Sequence, residues 1–238
     1  MVLWMNNQDI LKRKAAENAV EYIKSGMKIG FGTGSTFNHV LYVLADKIKS
    51  GAIKDIVGIS SSDRTEQLAK ELKIPTAALS KFPNLDITID GADEVDEKLN
   101  LIKGGGAAHL REKIIAQASN NYIIIVDESK VVKHLGEKWA VPIEVIKMAL
   151  DTELQYLKSI GAEVSQRLNS DGTPLITDEG NFILDANFGI IKNPKKLAKK
   201  LEKRAGIVEH GLFVNMAKVV VVATKDGIKV FRNNNTKN

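Results

Sequence analysis

The chain contains no cysteine. A disulfide framework, a cysteine-ligated zinc or iron–sulfur centre and a thiol nucleophile are therefore excluded. Long apolar runs are also missing. The longest span five or six residues, at 40–45, 122–126 and 219–223, against the roughly 20 that cross a bilayer. The opening MVLWMNNQDILKRK lacks the apolar centre of a signal peptide, so a cytoplasmic protein with no membrane partner is expected. Aromatic residues make up only 5% of the 238, whereas the 44% hydrophobic and 26% charged fractions are ordinary for a globular chain.

The net charge of +5 is concentrated in one place. Residues 192–204, KNPKKLAKKLEKR, hold seven of the 34 basic residues and one of the 29 acidic ones, leaving 27 against 28 elsewhere. The segment reads as a helix capped by Asn193, with Pro194 in its first turn, an apolar stripe of Leu197, Ala198, Leu201 and Ala205, and Gly206 as its stop. A solvated lysine face and a polyanion-binding patch both fit. No aromatic side chain interleaves with the lysines, as nucleic-acid stacking would require, so no nucleic-acid partner is expected.

Helical and strand patterns alternate through the first 135 residues. Helices are expected at 9–25, 37–48, 63–72 (with Asp63 and Glu66 in a capping box) and 107–119, and strands at 27–31, 55–60, 76–79, 86–90 and 122–126. Apolar strands alternating with helices indicate βαβ units and a parallel sheet, hence an α/β fold. The pattern changes after about 136. One long helix at 143–160 is expected, then short strands in AEVSQRL, LITD and NFILDANF, as in a small α+β module with an antiparallel sheet. The terminal VVVVATKDGIKVF reads as a hairpin whose first strand rejoins the parallel sheet.

Three segments could carry chemistry. Gly30-Phe31-Gly32-Thr33-Gly34-Ser35-Thr36 follows a strand and opens a helix, a geometry suited to an anion. It matches neither the dinucleotide fingerprint nor the Walker pattern, and a tight turn that needs glycine for geometry alone also fits. Asp90-Gly91-Ala92-Asp93-Glu94-Val95-Asp96 follows a strand and so lies at the sheet edge where open α/β folds bind ligands. Crowded carboxylates favour a retained proton and acid–base work, although helix capping or a weak Mg²⁺ site would use the same residues. Lys103-Gly104-Gly105-Gly106-Ala107-Ala108 precedes a helix bearing His109 and Glu112. Three consecutive glycines are costly to order, and close approach to a ligand would explain them. Glu112 could equally be a surface partner of Arg111 or Lys113. Together the inventory suits proton abstraction beside a carbonyl on a phosphorylated small molecule, with no metal and no organic cofactor.

These motifs, with SSD at 61–63, REK at 111–113, VDESK at 126–130, VPIEVI at 141–146 and GLF at 211–213, stand in an order that resembles ribose-5-phosphate isomerase A along essentially the whole chain. The one departure noticed is His109-Leu110, where that family usually shows Leu-Thr. The resemblance implies a Rossmann-like parallel-sheet domain, 1–136 plus 211–238, with a second, smaller inserted α+β (ferredoxin-like) domain at 137–210. It implies a metal-independent aldose–ketose isomerase of the non-oxidative pentose phosphate pathway, a homodimer or homotetramer, acting on a phosphorylated pentose. Glu112 would be the general base acting through a cis-enediolate, Lys103 would offset the enediolate charge, and Asp90 and Asp93 would handle hydroxyl protons. Substrate binding would fall to Thr33, Gly34, Ser35, Thr36, Asp90, Gly91, Ala92, Asp93, Lys103, Gly104, Gly105, Gly106 and Lys130, with Lys12 also assisting at the phosphate. Sugar-phosphate-sensing regulators, and the glucosamine-6-phosphate deaminase and lactonase relatives, share the phosphate cradle. The regulators need an N-terminal DNA-binding module for which residues before Met27 leave no room, and the paired DGADEVD and KGGGAA…REK motifs fit the isomerase better.

Overall fold

A computed structural model describes residues 7–233. The chain runs through α1 (Asn7–Val20), β1 (Lys28–Phe31), α2 (Ser35–Lys49), β2 (Val57–Ser60), α3 (Asp63–Glu71), β3 (Ile87–Asp90), β4 (Glu94–Val95) and β5 (Leu101–Ile102). It continues with α4 (His109–Gln117), β6 (Tyr122–Asp127), β7 (Val141–Val145), α5 (Leu150–Ser159), β8 (Glu163–Gln166) and β9 (Phe182–Asn187). The last elements are α6 (Pro194–Leu201), β10 (Ile207–His210), β11 (Leu212–Phe213), β12 (Val219–Thr224) and β13 (Gly227–Arg232).

The chain divides into two units. The first comprises 1–92, 111–131 and 216–238, and the second 93–110 and 132–215. The second unit thus takes in 93–110, a stretch that the sequence pattern assigns to the first domain.

In the first unit six strands form one sheet in the order β13-β12-β6-β3-β1-β2. All neighbours run parallel except the β12–β13 hairpin. Ile29, Phe31, Ile87, Ile89, Ile123, Ile125 and Val221 alternate along their strands onto one face, where they meet Ala15, Ala16 and Ala19 of α1 and Val40, Leu41 and Leu44 of α2. The small α1 side chains let that helix approach the sheet closely. A smaller cluster of Ile59, Leu85 and Ile115 is also buried. Because β1 pairs with β2 on one side and β3 on the other, the strand order reverses there, and the carboxyl ends of β1 and β3 flank the switch point where such sheets bind ligands.

The second unit has a four-stranded antiparallel sheet, β10-β7-β9-β8, and a short three-stranded one, β11-β5-β4. Leu157 of α5 and Ala198 and Leu201 of α6 pack with Val141, Ile143, Val145, Leu184 and Ala186 in its core.

Several elements differ from the sequence pattern. Residues 141–145 are a strand, and the helix begins only at Leu150. Val141, Ile143 and Val145 are β-branched and buried, and β7 is hydrogen-bonded on both sides, which outweighs a helical spacing continued backward from α5. Residues 76–79 contribute a single bridge, Gly58 to Thr76, before a short 3₁₀ turn, and LITD forms no strand. The cap of α3 is Ser62, whose Oγ accepts from the Thr65 amide, rather than Asp63. The basic helix is capped by Asn193 as expected but ends at Leu201, before Gly206. Its lysines Lys195, Lys196, Lys199, Lys200 and Lys203 line a shallow surface depression.

One buried acid marks the second unit. Glu144 on β7 accepts from Thr177 Oγ1 at 2.8 Å and Asn181 Nδ2 at 2.9 Å. Burial raises its proton affinity above the ordinary glutamate value, and the nearby acids Glu179 and Asp178 add to this against the two hydrogen bonds. The folded state therefore holds this proton more tightly than the unfolded chain. That contribution favours folding at low pH and is lost as pH rises through the raised value. Glu144→Gln keeps an acceptor for both donors and removes the buried charge. Its melting temperature at pH 8 should match or exceed the wild type by about 2 °C, with the gain vanishing toward pH 4.5; a loss at pH 8 would contradict this.

Candidate active site

In the first unit the candidate residues collect at the carboxyl ends of the strands. Asp90 ends β3 and is fully buried. Its Oδ1 accepts from the Thr33 amide at 3.2 Å and from the Gly91 amide at 2.7 Å. Its Oδ2 accepts from the Tyr122 hydroxyl at 3.3 Å. Gly32 is glycine because a Cβ there would fall 2.2 Å from Asp90 Oδ1. So one glycine read as room for a ligand makes room for a carboxylate of the protein.

Thr33 is likewise turned inward. Its Oγ1 donates to Ser62 Oγ and pairs with Ser61 Oγ, both at 2.8 Å, and Thr65 Oγ1 donates to the Gly32 carbonyl. The SSD segment thus pins the glycine loop through hydroxyls. Gly34, at φ 111°, is the cap of α2 and offers no side chain to its first-turn amides. Ser35 and Thr36 open that helix, and Lys12 Nζ from α1 donates to Ser35 Oγ at 3.1 Å. Lys130 stands on the turn after β6. Beside it, burial raises the proton affinity of Asp127, but hydrogen bonds from Ser129 and Gln8 and the Lys130 charge overcome this and hold the carboxyl below its usual range.

Glu112, on α4, is buried rather than a surface partner. The neighbouring Arg111 makes a salt bridge with Asp63 at 2.7 Å. Tyr122 reports where Glu112 lies. Its phenol is buried, and its proton affinity is pushed well above the ordinary tyrosine value by burial, by the charges of Asp90 and Glu112, and by its hydrogen bond to Asp90. Two carboxylates from two different elements therefore act on one hydroxyl.

In the second unit Lys103 is buried at the end of β5. Its amide donates to the Gly211 carbonyl at 2.9 Å, and its ammonium lies 5.5 Å from the Phe213 ring centroid, a cation–π distance. Gly211 must be glycine, since a Cβ would sit 2.1 Å from the Lys103 carbonyl. Gly104, Gly105, Gly106 and Ala107 form the turn into α4, where the buried His109 packs against Gly104. Asp93 Oδ2 accepts from the Gly105 amide at 2.7 Å.

The acidic cluster does not act as one group. Glu94 is consumed by the amides of Gly136, Lys138 and Trp139. Asp96 caps a turn through the Lys98 and Asn100 amides and the Asn100 side chain. Gly91 and Ala92 form the half-buried link after Asp90. Among the described residues no three His, Asp or Glu side chains are grouped to hold a metal ion, and no helix is long and apolar enough to cross a membrane.

Sequence reasoning counts Ser61, Ser62 and Phe213 only as parts of the SSD and GLF motifs and passes over Tyr122 as a functional residue. Tyr122 opens an apolar run and reads as core; only its register opposite Thr88, two residues before Asp90, exposes its role. The raised phenol has a direct readout. Phenolate absorbance of wild type and Tyr122→Phe should superimpose at pH 10, the ordinary tyrosine value, because Tyr122 stays protonated there. A smaller amplitude in the variant would show Tyr122 ionising normally.

The comparisons with known proteins agree on one family. The family model described as ribose 5-phosphate isomerase A (phosphoriboisomerase A) matches residues 57–227. The ribose-5-phosphate isomerase A of Desulfatibacillum aliphaticivorans is 50% identical over 225 residues, 94% of this chain and 98% of the relative. Ribose 5-phosphate isomerase from Plasmodium falciparum superposes with a TM-score of 0.92 at 40% identity, covering 95% of this chain and 99% of that one. A D-ribose-5-phosphate isomerase solved in complex with phospho-erythronic acid gives 0.93 at 41% identity, covering 95% and 100%. With this coverage, and with the motif residues arranged as described, the chain belongs to the ribose-5-phosphate isomerase A family of aldose–ketose isomerases.

Proposed function

We propose that ribose 5-phosphate isomerisation, the reaction of the family, proceeds in this chain through a cis-enediolate with Glu112 as general base. The observation that carries the reading is the buried Tyr122 phenol, which feels the charges of both Glu112 and Asp90. A carboxylate sheltered from water suits proton transfer at carbon, which positioned acid–base groups accelerate by about 10²–10⁴-fold.

In the aldose-to-ketose direction Glu112 takes the C2 proton and returns it to C1. Asp90 and Asp93 move the hydroxyl protons, including the one released when the furanose ring opens. Lys103, a buried cation, offsets the negative charge of the enediolate oxygen. The substrate phosphate is held by the first-turn amides of α2 and by Ser35 and Thr36, with Lys12 and Lys130 supplying charge. Thr33 contributes through the loop it fastens, since its amide and hydroxyl are both engaged within the protein. Gly34, Gly91, Ala92, Gly104, Gly105 and Gly106 contribute backbone contacts to the sugar. The reaction belongs to the non-oxidative branch of the pentose phosphate pathway, in the cytoplasm, carried out by a homodimer or homotetramer without metal or organic cofactor.

The test is ketose formation from D-ribose 5-phosphate in excess EDTA. Equilibration with ribulose 5-phosphate is expected; activity that returns only with added Mg²⁺ or Mn²⁺ would overturn the metal-free mechanism. Glu112→Gln should hold KM within a few-fold while kcat falls at least about 10²-fold. Near-normal kcat would remove Glu112 as the base. Lys103→Ala should also lower kcat, and an effect confined to KM would make Lys103 a binding residue only.

A further inference from the structure

Arg167 follows β8 in the second unit, and its side chain is 14% exposed. Its Nε donates to Asp185 Oδ2 at 2.9 Å and its Nη2 to Oδ1 of the same carboxylate, a two-point pairing that fixes the guanidinium plane. Asp185 lies on β9 and is held in register there, opposite Ser165 of β8 and Pro142 of β7. The remaining terminal nitrogen, Nη1, reaches the glycine triplet. It donates to the Gly104 carbonyl at 2.6 Å and the Gly105 carbonyl at 3.2 Å.

The Gly104 carbonyl and the Gly105 amide are the two ends of one planar trans peptide unit, so they point in opposite directions. Arg167 grips the oxygen end. Asp93 takes the N–H end, at 2.7 Å. Both contacts are charge-assisted, and each polarises the peptide in the sense that strengthens the other. The glycines make the arrangement possible. Gly104 adopts φ 107°, and a Cβ on Gly105 would stand 2.8 Å from Asp93 Oδ1. They also make it fragile, because a glycine triplet has no side chains to hold itself in place.

We propose that Arg167 is a positioning residue for Asp93, acting through the Gly104–Gly105 peptide, with Asp185 aiming its guanidinium. The inference rests on the reading of Asp93 as a group that moves substrate hydroxyl protons. A lysine at 167 keeps the charge but has no planar fork with which to meet a carboxylate and two carbonyls at once.

The experiment is a double-mutant cycle in the full chain: wild type, Arg167→Lys, Asp93→Asn and the double variant, with kcat, KM and melting temperature for each. Arg167→Lys should lower kcat about 10- to 100-fold while KM moves less than about threefold, the mark of a misplaced group rather than lost binding. In the Asp93→Asn background the same substitution should change kcat less than about twofold, because the group it positions is gone. Equal factors in both backgrounds, or wild-type kcat for Arg167→Lys, would overturn the inference. A normal Asp93→Asn single variant would instead overturn the role of Asp93 and take this inference with it; that case is recognised without reference to Arg167. Should Arg167→Lys fail to fold, Asp185→Asn takes its place in the cycle. It loosens the two-point hold, and its kcat loss of about 3- to 10-fold should likewise vanish in the Asp93→Asn background.

Discussion

The bonding of the Asp90 carboxylate organises the candidate residues of the first unit. Two backbone amides and one phenol converge on it. Those donors come from the loop after β1, the turn after β3 and the start of β6, so one side chain ties together three strands that neighbour one another in the sheet. A buried carboxylate is costly unless its lone pairs are satisfied. Here one of the satisfying groups, the Thr33 amide, belongs to the loop that opens α2. Gly32 lacks a side chain because this carboxylate occupies the space. The serine and threonine hydroxyls of Ser61, Ser62 and Thr65 fasten the same loop from its other side.

The second unit treats its acids in a comparable way. Glu94 and Asp96 are anchored by backbone amides and set the turns around β4, and Asp93 is anchored by the amide of a glycine. In each case a carboxylate is held by N–H groups whose positions depend on secondary structure rather than on flexible side chains. That leaves these carboxylates little freedom to move. Lys103 follows the same pattern, with its backbone tied to Gly211 and its ammonium set over Phe213.

Much of this was legible in the sequence, for identifiable reasons. The βαβ alternation, the rejoining of β12 to the parallel sheet, the Asn193 cap and the three glycine- or aspartate-rich segments all depend on local chemistry: apolar periodicity, turn residues and caps. The errors arose where local and tertiary preferences pulled apart. Residues 141–145 could continue a helical spacing, but two flanking strands recruited them into a sheet. Asp63 was chosen as a cap by type, whereas Ser62 had the geometry.

What the sequence determined by itself, then, was the inventory and its order: which acids, lysines and glycines are present, which strands and helices they follow, and the family they resemble. Only the tertiary structure decided which partners each acid meets. Glu94 and Asp96 look equivalent to Asp90 in one dimension, yet they are held by the amides of turns around β4, whereas Asp90 is held by the loop that opens α2, its own turn and the Tyr122 phenol. Tyr122 looks like core, and Arg167 looks like a surface charge. Their partners follow from strand register, which decides what comes within hydrogen-bond reach. A period-2 pattern can predict that a residue is buried, but not which polar atom it will meet.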